Sequence, residues 1–187
     1  MKKLLLVAVM VLTSAMTFAQ QKEGSLTIQP KVGLNIASLT DFDDSDPRFG
    51  VVAGAEFMYQ ATDMVGLSFG ALYSMQGAKY DKTTTKLDYI NIPVLANVYV
   101  APGFAVKLGL QPGFNVNSKA KAKGNGGAVE ADIDAKTVDL SIPIGLSYEF
   151  SNFVIDGRYN WGLTKVAKHS DCKNSVFQIT LGYKLPL

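Results

Sequence analysis

The sequence has 187 residues, of which 48% are hydrophobic, and a formal net charge of +2. That length suits a single domain. The only cysteine, Cys172, excludes an intramolecular disulfide, and the small net charge gives no reason to expect a nucleic-acid partner.

The N-terminal residues have the features of a secretory signal peptide. Two lysines precede the apolar run at 4–12, and Ala19 supplies a small side chain at the position that signal peptidase reads. The run is shorter than the roughly 20 residues that a membrane-spanning helix needs. We predict that residues 1–19 are removed and that residues 20–187 form one domain. Removal takes away two lysines and no acid, so the remaining chain has no formal net charge.

Apolar and polar residues then alternate in eight segments, which predicts eight β-strands. In the last segment, Phe177, Ile179 and Leu181 fall on one face, and Gln178 and Thr180 fall on the other. The predicted strands are 26–38, 49–60, 65–76, 87–100, 104–116, 138–149, 153–163 and 175–185.

The connections between these strands alternate between long and short. The long loops are predicted at 40–47, 77–86, 118–136 and 165–174, and the short turns at 61–63, 101–103 and 151–152. Transmembrane barrels have short periplasmic turns and longer extracellular loops. The apolar outer face requires closure, because an open sheet edge would leave unpaired backbone groups in hydrocarbon. The pattern predicts an all-β, eight-stranded antiparallel up-and-down transmembrane β-barrel with both termini on the periplasmic side.

Two prolines interrupt the predicted strands. Pro93 and Pro143 lie in similar surroundings, within 90–94 and 140–144. Proline cannot donate a hydrogen bond to a neighbouring strand and normally marks an edge or a bulge. A closed barrel has no edge, so we expect a bulge or a local opening at both sites.

Charged residues on the predicted inner face are balanced between acids and bases. The interior of an eight-stranded barrel is just wide enough for side chains to fill it. We predict an ion-pair network that plugs the lumen, with Glu56 and Glu149 as candidate partners of Lys184; a conducting pore is the alternative. The eight residues are Lys31, Glu56, Lys107, Asp139, Glu149, Asp156, Arg158 and Lys184.

Four short segments of the sequence resemble a known family. They are 33–38 (GLNIAS), 89–94 (YINIPV), 109–113 (GLQPG) and 178–183 (QITLGY). Together with the signal peptide, they are similar to the small PorT-like outer-membrane β-barrel proteins, often called the porin family. The resemblance covers nearly the whole mature chain and implies an eight-stranded barrel in the outer membrane of a Gram-negative bacterium. Its motifs are more specific for the fold than for any activity.

The C-terminal end departs from the usual pattern of outer-membrane barrels. Such proteins usually finish on an aromatic residue that the barrel assembly machinery recognises, whereas this chain finishes at Leu187. We expect the assembly machinery as a partner during insertion, with either its recognition shifted to Tyr183 or a less efficient insertion.

The predicted long loops contain three candidate sites. Asp41, Asp43, Asp44 and Asp46 could bind Ca²⁺ or Mg²⁺, but their spacing is not that of a known calcium loop, and a solvated acidic loop is favoured. Lys119, Lys121 and Lys123 could meet lipopolysaccharide phosphates, and adhesion or flexible display of this loop are equally open alternatives. His169 is flanked by Ser170 and Asp171, but the partners of a catalytic triad rarely adjoin in sequence.

We therefore expect a non-enzymatic outer-membrane barrel with a structural or surface-interaction role through its extracellular loops. The alternatives are a small passive channel and an accessory factor in envelope assembly or secretion. We predict no catalytic, cofactor-binding or metal-binding residues. The expected partners are outer-membrane lipid and lipopolysaccharide, and the expected form is a monomer.

Overall fold

A computed structural model describes residues 22–40, 46–80, 83–124, 127–133, 135–166 and 172–187. The predicted signal peptide at 1–19 lies outside these residues. No helix in the described ranges is long and apolar enough to span a membrane. The described chain forms β1 (Leu26–Leu39), β2 (Asp46–Gln60), β3 (Val65–Tyr80), β4 (Thr83–Asn91), β5 (Val94–Ala101), β6 (Phe104–Gly124), β7 (Gly127–Asp132), β8 (Val138–Phe150), β9 (Phe153–Lys165), β10 (Lys173–Tyr183) and β11 (Leu185–Pro186).

These strands form one closed antiparallel sheet. The pairing runs in the order β1, β2, β3, β4 with β5, β6, β8, β9 and β10, and β10 pairs with β1 to complete the ring. β4 and β5 together make one wall strand, and so do β10 and β11, while β7 pairs with β6 alone within the described residues. The wall therefore has eight strands, as the alternation predicts, and the predicted fold class is confirmed.

The two faces of the wall have opposite chemistry. Along β10, Phe177, Ile179 and Leu181 point outward and are 43%, 48% and 47% exposed. Gln178 and Thr180 point into the lumen and are buried. Aliphatic and aromatic side chains thus form the outer surface, and polar side chains fill much of the interior.

Two of the predicted long loops are wrong over most of their length, because strands continue through them. In the segment predicted as a loop at 77–86, β3 continues to Tyr80 and pairs with Thr83 at the start of β4. In the segment predicted at 118–136, β6 continues to Gly124 and returns as β7. These extensions pair side by side into one sheet, called the extended ribbon, made of residues 77–80, 83–86, 119–124 and 127–132. Regular alternation of apolar and polar residues marks only strands with one apolar side, so it did not reveal this ribbon.

The predicted interruptions at the two prolines are confirmed. Pro93 lies in the gap between β4 and β5. Pro143 stays within β8, but the pairing of β8 with β6 has a gap between Ile144 and Ser141. A proline in β1 has a similar effect that the sequence pattern did not reveal. β1 pairs with the last wall strand up to Ile28 and again from Lys31, but not at Pro30.

Glycines make room for long cationic side chains in the lumen. Lys31 lies directly across from Gly54 in β2. Lys107 and Arg158 both lie directly across from Gly145 in β8, one on each side of it. A residue without a side chain beside each cation leaves space for the cation to extend across the lumen.

Replacing Gly145 by valine is expected to destabilise the barrel by about 1–3 kcal/mol or more, the usual cost of overpacking. An added Cβ atom at this position would lie 2.7 Å from the Cβ of Arg158 and 2.6 Å from the carbonyl oxygen of Gly157. The measurement is the free energy of unfolding in urea for protein reconstituted in lipid vesicles. Gly157→Val is the matched control, because a Cβ there would meet no atom within 4 Å. Equal stability of the two variants would contradict this account.

Candidate functional site in the lumen and the extended ribbon

Five charged side chains form one ion cluster across the lumen. The Nζ of Lys31 lies 2.6 Å from the Oε2 of Glu56 and 3.3 Å from the Oδ2 of Asp156. The guanidinium of Arg158 lies 2.9 Å from the Oε1 of Glu56 and 2.8 Å from the Oδ2 of Asp156. The Nζ of Lys107 lies 2.5 Å from the same Asp156 oxygen. All five side chains are at most 2% exposed.

The ion cluster joins four different wall strands. Lys31 comes from β1, Glu56 from β2 and Lys107 from β6, while Asp156 and Arg158 come from β9. Three cations therefore share two carboxylates. Asp156 contacts all three cations, which makes it the centre of the cluster.

The other three predicted lumen residues lie outside this cluster. Lys184 pairs with Glu149 at 2.5 Å, and the hydroxyl of Tyr99 donates to the same glutamate at 2.8 Å. The carboxylate of Asp139 accepts hydrogen bonds from Thr164 and Asn174, and no cation pairs with it among the described residues. Of the two acids predicted as partners of Lys184, Glu149 pairs with it, whereas Glu56 pairs with Lys31 and Arg158 in the cluster.

An apolar cap covers the lumen at the long-loop end of the barrel. Leu87 and Tyr89 from β4 and Val166 after β9 are buried against one another. Leu39 and Ala135 pack on their edge. The lumen is therefore filled by ion pairs in one layer and by apolar side chains in another.

The sequence pattern did not predict a buried ion pair between Arg48 and Asp88. The Nη1 of Arg48 lies 3.3 Å from the Oδ1 of Asp88, and both side chains are buried. The hydroxyl of Tyr73 and the amide of Asn117 also donate to Asp88, at 3.1 and 2.8 Å. The only signal in the sequence was an acid at an outward position of a predicted strand. Its partners depend on a register shift between Asp88 and Tyr89 that periodicity cannot reveal.

Aromatic rings gather on the outer face at the short-turn end. Tyr148 and Phe150 stack with centroids 6.4 Å apart, and Phe150 stacks on Phe153 at 5.6 Å. Phe153 meets Tyr183 edge-on at 5.1 Å. Amphipathic rings are enriched at membrane–water interfaces, so this group marks one boundary of the lipid-facing band.

The extended ribbon carries exposed charges. The Oε1 of Glu130 lies 2.9 Å from the Nζ of Lys86 and 3.5 Å from that of Lys121. The hydrogen bond from Lys86 lowers the pKa of the Glu130 carboxyl, so the carboxylate stays ionised at a more acidic pH than an isolated glutamate does. Lys119 lies directly across from Lys86.

Several candidate loop residues lie outside the described part of the chain. These are Asp41, Asp43 and Asp44 of the acidic loop, and His169 with its two neighbours. Asp46 begins β2 and is exposed. The backbone of Lys123 lies in β6, but its side chain is also outside the described part.

Comparison with known sequences and structures identifies relatives of this architecture. The sequence model described as "Outer membrane protein beta-barrel domain" matches residues 18–168. No curated protein sequence matches the chain. The matched region ends before β10, although β10 and β11 complete the barrel wall.

Two solved structures have a similar fold. The attachment invasion locus protein Ail of Yersinia pestis is 17% identical, with a TM-score of 0.53 over 87% of this chain and 99% of Ail. Neisserial surface protein A is 19% identical, with a TM-score of 0.58 over 87% of this chain and 100% of that protein. At these identities the likeness supports the fold alone.

The two charge types of the cluster are expected to differ in their importance for stability. Asp156→Asn leaves three buried cations with one carboxylate, whereas Lys107→Met leaves two cations with two carboxylates. Breaking a buried ion network so that charges are left uncompensated typically costs about 3–5 kcal/mol. We expect a loss of that size for Asp156→Asn and a clearly smaller one for Lys107→Met. Urea unfolding in lipid vesicles measures both, and an equal or larger loss for Lys107→Met would contradict the central role of Asp156.

Proposed function

The chain belongs to the outer membrane protein beta-barrel domain family, and from that premise we propose that it is a non-enzymatic barrel that acts through its surface. In this proposal the lumen is closed by side chains, and the extended ribbon is displayed outside the cell. The observation that carries the proposal is the buried ion cluster, which ties β1, β2, β6 and β9 together across the lumen.

The cluster supports a structural role for the lumen rather than a chemical one. Both carboxylates, Glu56 and Asp156, are hydrogen-bonded to cations, and each contacts at least two of them. A carboxylate held in this way is neither a ready base nor a free ligand for a solute. The contacts instead brace opposite sides of the wall.

The extended ribbon supports a role at the surface. β6 contains 21 residues, whereas β8 beside it contains 13. Phe114 pairs with Val138 at the start of β8, so residues 115–124 of β6 continue past it; at about 3.3 Å per residue they amount to roughly 30 Å of strand beyond that neighbour. The long-loop end therefore reaches much further from the barrel than the short turns do.

The direction of insertion and the oligomeric state are part of the proposal. The described ends of the chain lie at the same end of the barrel as the short turn at Ser151, since Lys184 bonds to the backbone of Asn152 and Leu187 to that of Leu26. Short turns face the periplasm in barrels of this kind. We place both termini there, with the ribbon outside, and we propose a monomer because β1 and β10 of one chain close the ring.

Surface labelling in intact cells tests this arrangement. Val129 in the ribbon is 70% exposed, and Asn152 lies in an exposed short turn. In a Cys172→Ala background, we expect Val129→Cys to react with a membrane-impermeant maleimide, and Asn152→Cys to react only after the cells are permeabilised. Labelling of Asn152→Cys alone in intact cells would show the reverse orientation.

Conductance tests the closed lumen against the channel alternative. The side-chain amides of Gln29, Asn160 and Gln178 are buried and make no hydrogen bond within the described residues, which gives the interior some polar lining. We expect no stepwise conductance from the wild-type barrel in planar bilayers, because the ion cluster and the apolar cap block the lumen. Arg158→Ala with Lys31→Ala, which shortens two side chains of the plug, serves as the opened control. Regular steps from the wild type would favour a channel.

A further inference from the structure

Four lysines share one face of the extended ribbon. Strand pairing places Lys86 directly across from Lys119, and Thr84 directly across from both Lys79 and Lys121. Residues that lie across from each other, and alternate residues along a strand, share a face. We call Lys79, Lys86, Lys119 and Lys121 the lysine face.

The opposite face of the ribbon has a different composition. Its side chains are small, hydroxylated or apolar, and none of them is charged. They are Ala78, Tyr80, Thr83, Thr85, Ala120, Ala122, Val129 and Ala131. The charges of the ribbon are therefore gathered on one side rather than spread over both.

The lysine face is the outer side of the barrel. Leu87 and Tyr89 point inward as part of the apolar cap, so Lys86 and Asp88 point outward. Below them on the outer side lie Ile90 and Phe114, which are 40% and 44% exposed. The lysines therefore follow directly above the apolar band.

Chemistry along this outer side changes in the order found across a membrane interface. Apolar side chains come first, then the hydroxyl of Tyr73 and the amide of Asn117 on Asp88, and then the lysines. Aromatic hydroxyls lie at headgroup depth in membrane proteins, and lysines near the surface attract anionic headgroups. The lysine face is thus positioned at the level of the lipid headgroups.

The lysines are only partly neutralised by the protein. Two cations directly across from each other, such as Lys86 and Lys119, repel and destabilise a sheet. Glu130 is shared between Lys86 and Lys121. Lys79 and Lys119 form no ion pair within 4 Å among the described residues, although Asp46 and Asp132 are their cross-strand neighbours. An anion from outside would relieve the repulsion.

We propose that the lysine face binds phosphate groups of lipid headgroups in the leaflet around the long-loop end. Lysine ammonium groups contact phosphate as point charges, and several of them on one rigid sheet hold it by charge and hydrogen bonds together. This inference rests on the proposed insertion of the barrel with its ribbon outside. It adds a lipid partner for the surface that the ribbon displays.

Unfolding in vesicles of two compositions tests the inference. The folded protein is reconstituted in phosphatidylcholine with lipid A, or with lipid A from which both phosphates have been removed. We expect the wild type to unfold at a temperature several degrees higher with the phosphorylated lipid at low salt. High salt should remove most of this difference, because exposed charges are screened.

Two double variants assign the effect to its residues. Lys86→Gln with Lys119→Gln should lose the difference between the two lipids and still fold, because it also removes the repulsion between the two lysines. Lys86→Arg with Lys119→Arg, which keeps both positive charges at the same positions, is the matched control and should keep the difference. Equal loss in both variants, or no loss in the first, would overturn the assignment.

A measurement on the wild type alone covers the case of a variant that does not fold. Acetylation of lysines, read by mass spectrometry, should be slower at Lys86 and Lys119 in phosphorylated vesicles than in dephosphorylated ones. Unchanged rates would overturn the inference. Lipid A in both leaflets meets the ribbon whichever way the barrel inserts, so failure here is distinguishable from failure of the proposed orientation, which the labelling in cells decides.

Discussion

The hydrogen bonds between β1 and β10 are the constraint on which the rest of the structure depends. In hydrocarbon, an unpaired backbone N–H or C=O group costs several kcal/mol, so a spanning sheet must close on itself. Nine residue pairs, from Lys31 with Gly182 to Leu39 with Asn174, close this one. The pairing weakens only near Pro30, where Lys184 instead bonds to the turn at Asn152.

Closure with eight wall strands leaves a narrow interior, and the narrowness brings distant residues into contact. Lys31 and Asp156 are 125 residues apart in sequence, yet their charged atoms lie 3.3 Å apart. Burying such groups is costly unless each is paired and hydrogen-bonded. The glycines opposite Lys31, Lys107 and Arg158 make that pairing possible, because they leave space for three long side chains in one layer.

Beyond the apolar band, the same strands are no longer in hydrocarbon, so the constraints on their backbone groups and charges are weaker. Water can satisfy backbone groups there, so β7 can end the sheet with an edge that no described strand covers. Charged side chains can also lie on the outer side of the ribbon, whereas the outer side of the wall next to it is apolar. The change from Phe114 to Lys119 along β6 marks the passage from one medium to the other.

The sequence by itself determined the closed eight-stranded fold, the two faces of each wall strand, the interruptions at Pro93 and Pro143, and the inward direction of eight charged side chains. It did not reveal the buried pair of Arg48 and Asp88. Alternation carries this information because one side of each strand meets lipid and the other meets polar groups. Only the tertiary structure decided which charges meet, since contact between Lys107 and Asp156 depends on the register and curvature of several strands. It also decided that residues 77–86 and 118–136 are mostly paired strands, because a ribbon in water has no lipid to impose an alternating pattern.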